Sequence, residues 1–242
     1  TNIIWSGPAG IPAWDNTDIR TYNPALVKRL NLQYKNGEWT WDAMRRDTVD
    51  SHWAALNNIP TGQSTVTITT KKEVPVTVKV KTGADLTIDQ KSYLNIERAN
   101  LTTNNNINVT NNSELDVDKT LTLNQGQLLV DKNSVLQAGS IKGNGIIRIE
   151  DAKRVFVNGD VESKLFHTKG NSPIEINGSI TTKGLYNTGE LTLTKEGGQL
   201  TINIDKNTPP QEKINLNSGI INATGSTMNL NTKFINSGAI LI

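Results

Sequence analysis

Apolar residues recur about every twenty residues from Leu86 to the C-terminal Ile242, in three series. The first series is Leu101, Leu121, Ile141, Val161, Ile180, Leu200, Ile220 and Ile240. The second is Leu94, Leu115, Val135, Val155, Ile174, Leu193, Ile214 and Phe234. The third is Leu86, Ile107, Leu128, Ile147, Phe166 and Leu185, and it resumes near Met228. Three apolar segments per repeat predict a parallel β-helix, an all-β solenoid with three short strands in each coil.

The predicted strands are about three residues long, with a polar residue between two apolar ones. Leu86-Thr87-Ile88 and Ile107-Asn108-Val109 are examples. Because successive side chains in a strand point to opposite faces, the apolar pair points inward and the polar residue outward. Asn, Gly, Asp and Lys fill the intervening positions, as expected for tight corners.

One interruption and one open end stand out in this pattern. Residues 205–213 contain Pro209-Pro210, which cannot lie in a central strand, so this segment is predicted to be a loop between coils. The chain ends on Ile240-Leu241-Ile242, an apolar strand without a cap. We therefore expect the solenoid, residues 65–242, to continue beyond Ile242.

Residues 1–64 differ in kind from the rest and are predicted to form a Trp-rich N-terminal cap. All five tryptophans lie there: Trp5, Trp14, Trp39, Trp41 and Trp53. Short helices are predicted at 24–30, after Asn23, and at 41–56, where Thr40 would be the N-cap. The breaker-rich stretch 58–62 marks the boundary with the solenoid.

The tryptophans admit two interpretations. The open end of a solenoid exposes apolar core and unpaired backbone, so a Trp-rich helical segment could cover it. Aromatic rings also stack on sugar rings, which makes Trp39 and Trp41 candidate ligand-binding residues.

Composition excludes several classes of function. The net charge of +2 arises from 25 basic and 23 acidic residues spread along the chain, so nucleic acid is not an expected partner. The absence of cysteine excludes disulfides and thiol chemistry. No apolar run is long enough to span a membrane. The chain begins at Thr1 without a Met or a signal-like stretch, so we expect a processed or truncated form of a longer chain, from which any export signal has been removed.

Two groups of residues resemble a known class of proteins. Ile59-Pro60-Thr61-Gly62 followed by Gly83-Ala84-Asp85-Leu86 looks like the start of β-helical regions in secreted bacterial surface proteins. Asn187-Thr188-Gly189, Asn217-Ser218-Gly219 and Asn236-Ser237-Gly238 are similar to the coils of filamentous haemagglutinin-like and autotransporter adhesins. The resemblance implies a right-handed parallel β-helix that is secreted or held on a bacterial surface.

Candidate chemistry is sparse. Asp131 and Asp151 are twenty residues apart and should lie in adjacent coils, with Arg148, Glu150 and Arg154 nearby. Such carboxylates could serve a polysaccharide lyase or hydrolase, or form a solvated charged edge. His52 and His167 match no catalytic or metal-ligand spacing, so we expect no catalytic residue, no metal and no cofactor.

The leading hypothesis is a non-enzymatic bacterial surface adhesin or structural module. Its partner would be a glycan, an extracellular-matrix protein or a host surface protein, bound along a preordered face. The alternatives are a phage tail-spike or fibre segment, which would be trimeric, and a polysaccharide-degrading enzyme. We expect a monomer rather than a trimer.

Overall fold

A computed structural model describes most of the predicted solenoid and parts of the N-terminal segment. Backbone and side chains are described for residues 80, 83, 85–98, 100–203, 206–207 and 215–242. Residues 3–5, 17–21, 33–35, 38–40, 65–70, 76–79 and 99 are described as backbone. Every regular element within these ranges is a β-strand.

Four strands of the described ranges lie before residue 65: β1 (Ile3–Trp5), β2 (Thr17–Thr21), β3 (Gln33–Lys35) and β4 (Glu38–Thr40). The next two, β5 (Thr65–Thr70) and β6 (Val76–Lys79), are the first strands of the predicted solenoid. Strand β1 pairs antiparallel with β2, and β2 pairs antiparallel with β5. Strand β3 pairs antiparallel with β4, which pairs in parallel with β6. Strands from the first 64 residues therefore occupy hydrogen-bonding edges of β5 and β6 that would otherwise be open.

The solenoid continues with strands in all later coils. The first group is β7 (Leu86–Ile88), β8 (Tyr93–Glu97), β9 (Ala99–Thr103), β10 (Ile107–Val109), β11 (Glu114–Leu123), β12 (Gln127–Asp131), β13 (Val135–Lys142), β14 (Ile146–Glu150), β15 (Arg154–Val157) and β16 (Val161–Ser163). The second group is β17 (Leu165–Lys169), β18 (Pro173–Ile176), β19 (Ile180–Thr182), β20 (Leu185–Asn187), β21 (Glu190–Leu193), β22 (Gln199–Ile202), β23 (Leu216–Asn217), β24 (Ile220–Asn222), β25 (Thr227–Leu230), β26 (Ile235–Asn236) and β27 (Ala239–Leu241).

These strands stack in three parallel columns, which we call sheets I, II and III. Sheet I contains β5, β8, the first part of β11 and β13, β15, β18, β21, β24 and β27. Sheet II contains β6, β9, the second part of β11 and β13, β16, β19, β22 and β25. Sheet III contains the eight strands β7, β10, β12, β14, β17, β20, β23 and β26. The fold is thus a parallel β-solenoid with about twenty residues per coil, as predicted, and it has about seven turns.

The core is the stack of inward side chains from the three sheets. In β7, β10 and the first part of β11 the flanking apolar residues are buried and the residue between them is half-buried. Leu86, Ile107, Leu128 and Ile147 follow one another in register along sheet III and are all buried. The alternation in the sequence therefore predicts the direction of the side chains correctly.

The first and third predicted series hold through Leu200 and Leu185, the second has two misplaced positions, and the predicted register fails afterwards. Leu200 pairs with Met228, which lies in sheet II, so Ile220 and Ile240 do not continue the first series and Met228 does not continue the third. Ile220 lies opposite Glu190 in sheet I with 43 % of its surface exposed.

The second series contains two errors of position. Val135 lies one residue before the buried Leu136, which is the residue that pairs with Leu115 and Val155. Ile174 pairs with Leu191 rather than with Leu193. Each strand of sheet I has two inward positions, so an apolar residue two places along fits the repeat equally well. Ile214 lies outside the described residues, and Phe234 directly precedes β26 of sheet III.

The later shift has a simple origin in chain length. The hydrogen bond from Asn187 to Asn217 joins equivalent positions 30 residues apart, whereas Thr168 and Asn187 are 19 apart. One coil is therefore about ten residues longer than its neighbours. The predicted loop 205–213 falls in that coil but lies almost wholly outside the described residues.

The Asn-Thr-Gly and Asn-Ser-Gly motifs form a ladder at a corner of sheet III, in which Asn187 and Asn217 are buried and Asn236 is exposed. Asn187 Nδ2 donates to Asn217 Oδ1 at 2.8 Å, and Asn217 Nδ2 donates to Asn236 Oδ1 at 2.9 Å. The same amides donate to the carbonyls of Gly189 and Gly219, which lie two residues further along in each coil. The repeated motif is thus explained by side-chain amides that satisfy the backbone of a tight corner.

Several predictions for the first 64 residues cannot be compared with the structure. The helices predicted at 24–30 and 41–56 lie outside the described residues. The division into a cap, 1–64, and a solenoid, 65–242, stays a prediction.

Candidate ligand-binding face of sheet I

A carboxyl network lies on the outer face of sheet I, at β8 and β11. Alternate residues of β11 point outward, so Glu114 and Asp116 stand on the same face with the inward Leu115 between them. Tyr93 lies opposite Glu114 in the preceding coil. Its hydroxyl donates a 2.6 Å hydrogen bond to Oδ2 of Asp116.

The network holds a proton to unusually high pH. Burial, followed by a hydrogen bond and charge repulsion from Asp116, raises the pKa of Glu114 to about 7. Burial also raises the pKa of Asp116, although the hydrogen bonds from Tyr93 and Glu114 oppose that change. The other oxygen of Asp116, Oδ1, is buried and has no hydrogen-bond partner among the described residues. A protonated Glu114 that donates to Asp116 accounts for all of these observations.

A depression of about 220 Å³ adjoins this network on the same face. Its lining includes Asp116, Asp118, Gln137, Gly139, Phe156 and Asn158. It spans the three neighbouring strands β11, β13 and β15. Gly139 is part of this lining, and its position excludes a side chain because a Cβ there would collide with the carbonyl oxygens of Asp118 and Lys119.

A second depression, of about 290 Å³, lies further along sheet I. Its lining includes Lys153, Arg154, Pro173, Glu175, Glu190 and Thr192. Phe156 and Arg154 stand between the two depressions, and the Arg154 guanidinium carbon lies 5.1 Å from the centre of the Phe156 ring. This cation–π contact joins the Arg154 side chain, which lines the second depression, to the Phe156 ring, which lines the first.

The residues predicted to form a site, Asp131 and Arg148, lie on sheet III, together with Glu150. Asp131 ends β12 opposite Glu150 of β14, and Asp151 directly follows β14, so Asp131 and Asp151 lie in adjacent coils as expected. Arg148 forms an ion pair with Glu150 at 3.9 Å, and the two side chains are 41 % and 36 % exposed. An ion pair of that exposure contributes under about 1 kcal/mol. Asp131 Oδ1 and Arg148 Nε are buried without a hydrogen-bond partner among the described residues.

Asp151 and Arg154 were expected beside Asp131 and Arg148, but neither of them lies in a strand of sheet III. Asp151 occupies the corner after β14 with φ of 52°, where its backbone accepts from Asn133 and donates to Lys169. Arg154 lies on sheet I, one corner away from Arg148. A spacing of twenty residues predicts neighbouring coils, but it does not predict which way two corner-adjacent side chains point.

The second half of sheet III presents an aromatic pair. His167 follows Arg148 in the outward column, and Tyr186 follows His167. The two rings are 4.7 Å apart and inclined by 42°. Burial and the neighbouring Arg148 charge lower the pKa of His167, so it is neutral at pH 7.

The other predicted features have these outcomes. Trp39 lies in β4, where only its backbone is described, and Trp41 lies outside the described residues. Within the described ranges no group of three or more His, Asp or Glu side chains is arranged to hold a metal ion. No helix in those ranges is long and apolar enough to cross a membrane.

The carboxyl network was missed by the sequence interpretation, although a signal for it is present. Glu114, Asp116 and Asp118 alternate with apolar or corner residues, so the first two point outward from one strand. Tyr93 precedes Glu114 by about one coil. Carboxylates two residues apart in a strand project from the same face of the sheet, whereas carboxylates twenty residues apart at a corner need not point the same way.

The fold places the chain in the class of parallel β-solenoids. It matches no protein-family model, no curated protein and no solved structure. A solenoid fold does not by itself define a function, which resides in the side chains on its faces.

Proposed function

We propose that the chain is an exported bacterial surface module that attaches to a glycan or to a host or matrix protein. The observation that carries the proposal is the pair of depressions on the outer face of sheet I, which flank Phe156 and Arg154. Both depressions are built on paired parallel strands with buried inward neighbours. Such a face loses little conformational entropy when it binds.

Binding fits the carboxyl network better than catalysis does. Glu114 and Asp116 share a hydrogen bond, so no sugar or water lies between their carboxyl groups. Glycoside hydrolysis places its two carboxyl groups roughly 5–9.5 Å apart, on either side of the bond that is broken. The network instead supplies fixed polar groups beside the first depression.

A second candidate function is polysaccharide degradation, and the state of Glu114 favours it. A carboxyl group with a pKa near 7 is well suited to donate a proton at neutral pH. In that case Glu114 would be the general acid, and substrate would lie in the first depression. Replacement of Glu114 by Gln would then abolish turnover.

The test is a binding screen on glycan and matrix-protein arrays, with turnover of the same glycans measured in parallel. Binding without turnover supports attachment as the function. Turnover that is lost in Glu114→Gln supports the enzymatic candidate instead. Absence of both binding and turnover would contradict each proposal.

The proposed module acts as a monomer. Sedimentation equilibrium of the purified chain separates a monomer of 26.5 kDa from a trimer. A trimer would favour the tail-spike alternative over a surface module.

A further inference from the structure

We propose that the outer face of sheet I binds a neutral oligosaccharide across Phe156, with sugar rings in both depressions. This inference rests on the proposed attachment function. It adds the ligand class and the face that binds it.

The dimensions fit a short chain of sugars. The lining residues run from Asp116 in β11 to Thr192 in β21, which is four strand steps, or about 19 Å at 4.8 Å per step. The volumes of about 220 and 290 Å³ fall below those of pockets for drug-sized ligands, which begin near roughly 300 Å³. Each depression therefore has the scale of a single sugar ring, and the two are adjacent on one face.

Phe156 provides an apolar surface at the centre of this path. It is half-buried, points outward from β15 and lines the first depression. Arg154 contacts the ring but does not line the first depression. The part of the Phe156 ring that borders the first depression is therefore the part that Arg154 does not cover. The C–H face of a pyranose ring packs on such a surface, as apolar groups do on aromatic rings generally.

The polar groups around Phe156 match the hydroxyl groups of a sugar. Gln137 and Asn158 each offer an amide donor and an amide acceptor, and Asp118 offers carboxylate oxygens. A sugar hydroxyl both donates and accepts, so it can satisfy amides and carboxylates at once. An apolar peptide would leave several of these groups without partners.

Charge decides between neutral and acidic sugars. The first depression is lined by Asp116 and Asp118, and no Lys or Arg is among its lining residues. The second adds Glu175 and Glu190 against Lys153 and Arg154. Acidic groups thus outnumber basic ones along the path, and a uronate or sulfated chain would be repelled at the first depression.

The experiment is isothermal titration of the whole chain with hexasaccharides of glucose and N-acetylglucosamine, and with a hexagalacturonate for comparison. At least one neutral hexasaccharide is expected to bind, and hexagalacturonate is not. Phe156→Ala is expected to weaken binding roughly tenfold, and Asn158→Ala several-fold. Tyr186→Ala, an outward aromatic on sheet III, is the matched control and is expected to leave affinity within about twofold.

Three results would overturn the inference. Binding that is lost in Tyr186→Ala but retained in Phe156→Ala would move the site to sheet III. Binding of hexagalacturonate in preference to the neutral chains would refute the ligand class. Binding to a matrix protein without any glycan binding would refute the sugar site and leave the attachment function intact. If circular dichroism shows Phe156→Ala to be misfolded, the Asn158→Ala titration decides the matter.

Discussion

The hydroxyl of Tyr93 donates to Asp116 across one coil of sheet I at 2.6 Å, and Glu114 reaches the same carboxyl group from within its own strand. Three polar side chains from two coils are thus linked on a partly buried face, with Asp116 accepting from the Tyr93 hydroxyl and from the protonated carboxyl group of Glu114. A buried polar network is favourable only when each member is satisfied, so the loss of one member affects the others.

Tyr93→Phe is expected to destabilise the protein by about 1–2 kcal/mol, because it removes a hydrogen bond to a carboxylate that remains partly buried. Urea unfolding followed by circular dichroism measures the change. Tyr186→Phe, on sheet III, is the control and should have a smaller effect. Equal effects of the two substitutions would contradict the role given to the Tyr93 hydroxyl.

Glu114→Gln is expected to flatten the dependence of stability on pH. The pKa of Glu114 is about 7 in the folded chain against an ordinary value of 4.5, so the folded state holds this proton more tightly. The stabilisation is complete below about pH 4.5 and is lost as the pH rises to about 7. Melting temperatures across that range should therefore fall less in Glu114→Gln than in the parent chain.

The control for that experiment is Glu175→Gln, which removes a carboxylate from the same face three strands away. It should leave the slope between pH 4.5 and 7 close to that of the parent chain. If the pH dependence of stability in Glu114→Gln matched that of both the parent chain and Glu175→Gln, the proton taken up between pH 4.5 and 7 would not be on Glu114.

Asn217→Ala is expected to destabilise the protein by about 2–4 kcal/mol, since Asn217 is buried and bonds both neighbouring coils. The substitution would remove the hydrogen bond that Asn217 accepts from Asn187 and the two that it donates to the carbonyl groups of Gly219 and Ala239. Asn231→Ala is the control, because Asn231 is exposed and makes a comparable bond to Asn203 at 3.2 Å. Thermal unfolding of both variants should show a large shift only for Asn217.

Gly143→Ala is expected to cost several kcal/mol, on the order of 3. Gly143 has φ of 109°, and a Cβ there would collide with the carbonyl group of Leu123. Gly225→Ala separates the two causes, because Gly225 has φ of 79° but open space around its Cβ position. It should cost only about 1 kcal/mol, the usual penalty for alanine at positive φ. Similar losses in both variants would argue against the collision.

The fold was predictable because its cause is local and repeated. In β7 and β10 an apolar pair encloses one polar residue, and this alternation sets which side faces the core. The same rule could not follow the chain past Leu200, where one coil takes about ten additional residues and Met228 rather than Ile220 continues sheet II. Periodicity cannot distinguish an inserted loop from a coil that happens to contain an apolar residue at the expected place.

The candidate site was predicted less well, for a related reason. Asp131 and Asp151 were chosen for their spacing, yet one ends a strand opposite Glu150 and the other forms a corner with φ of 52°. Asp116 and Phe156 are forty residues apart in the sequence and border one depression, with Gln137 between them. Only the register of three strands brings those side chains together.

The sequence by itself determined that the chain forms a parallel β-solenoid, because burial of an alternating apolar face is dictated by neighbouring residues and repeats in every coil. It also determined where corners fall, through Asn and Gly residues suited to tight bends. The tertiary structure alone decided which outward side chains are in contact, which carboxyl groups share a proton and where the depressions lie on the outer face of sheet I. Those properties depend on the register and packing of strands about twenty residues apart, and a one-residue difference in a corner changes them without altering the apolar pattern.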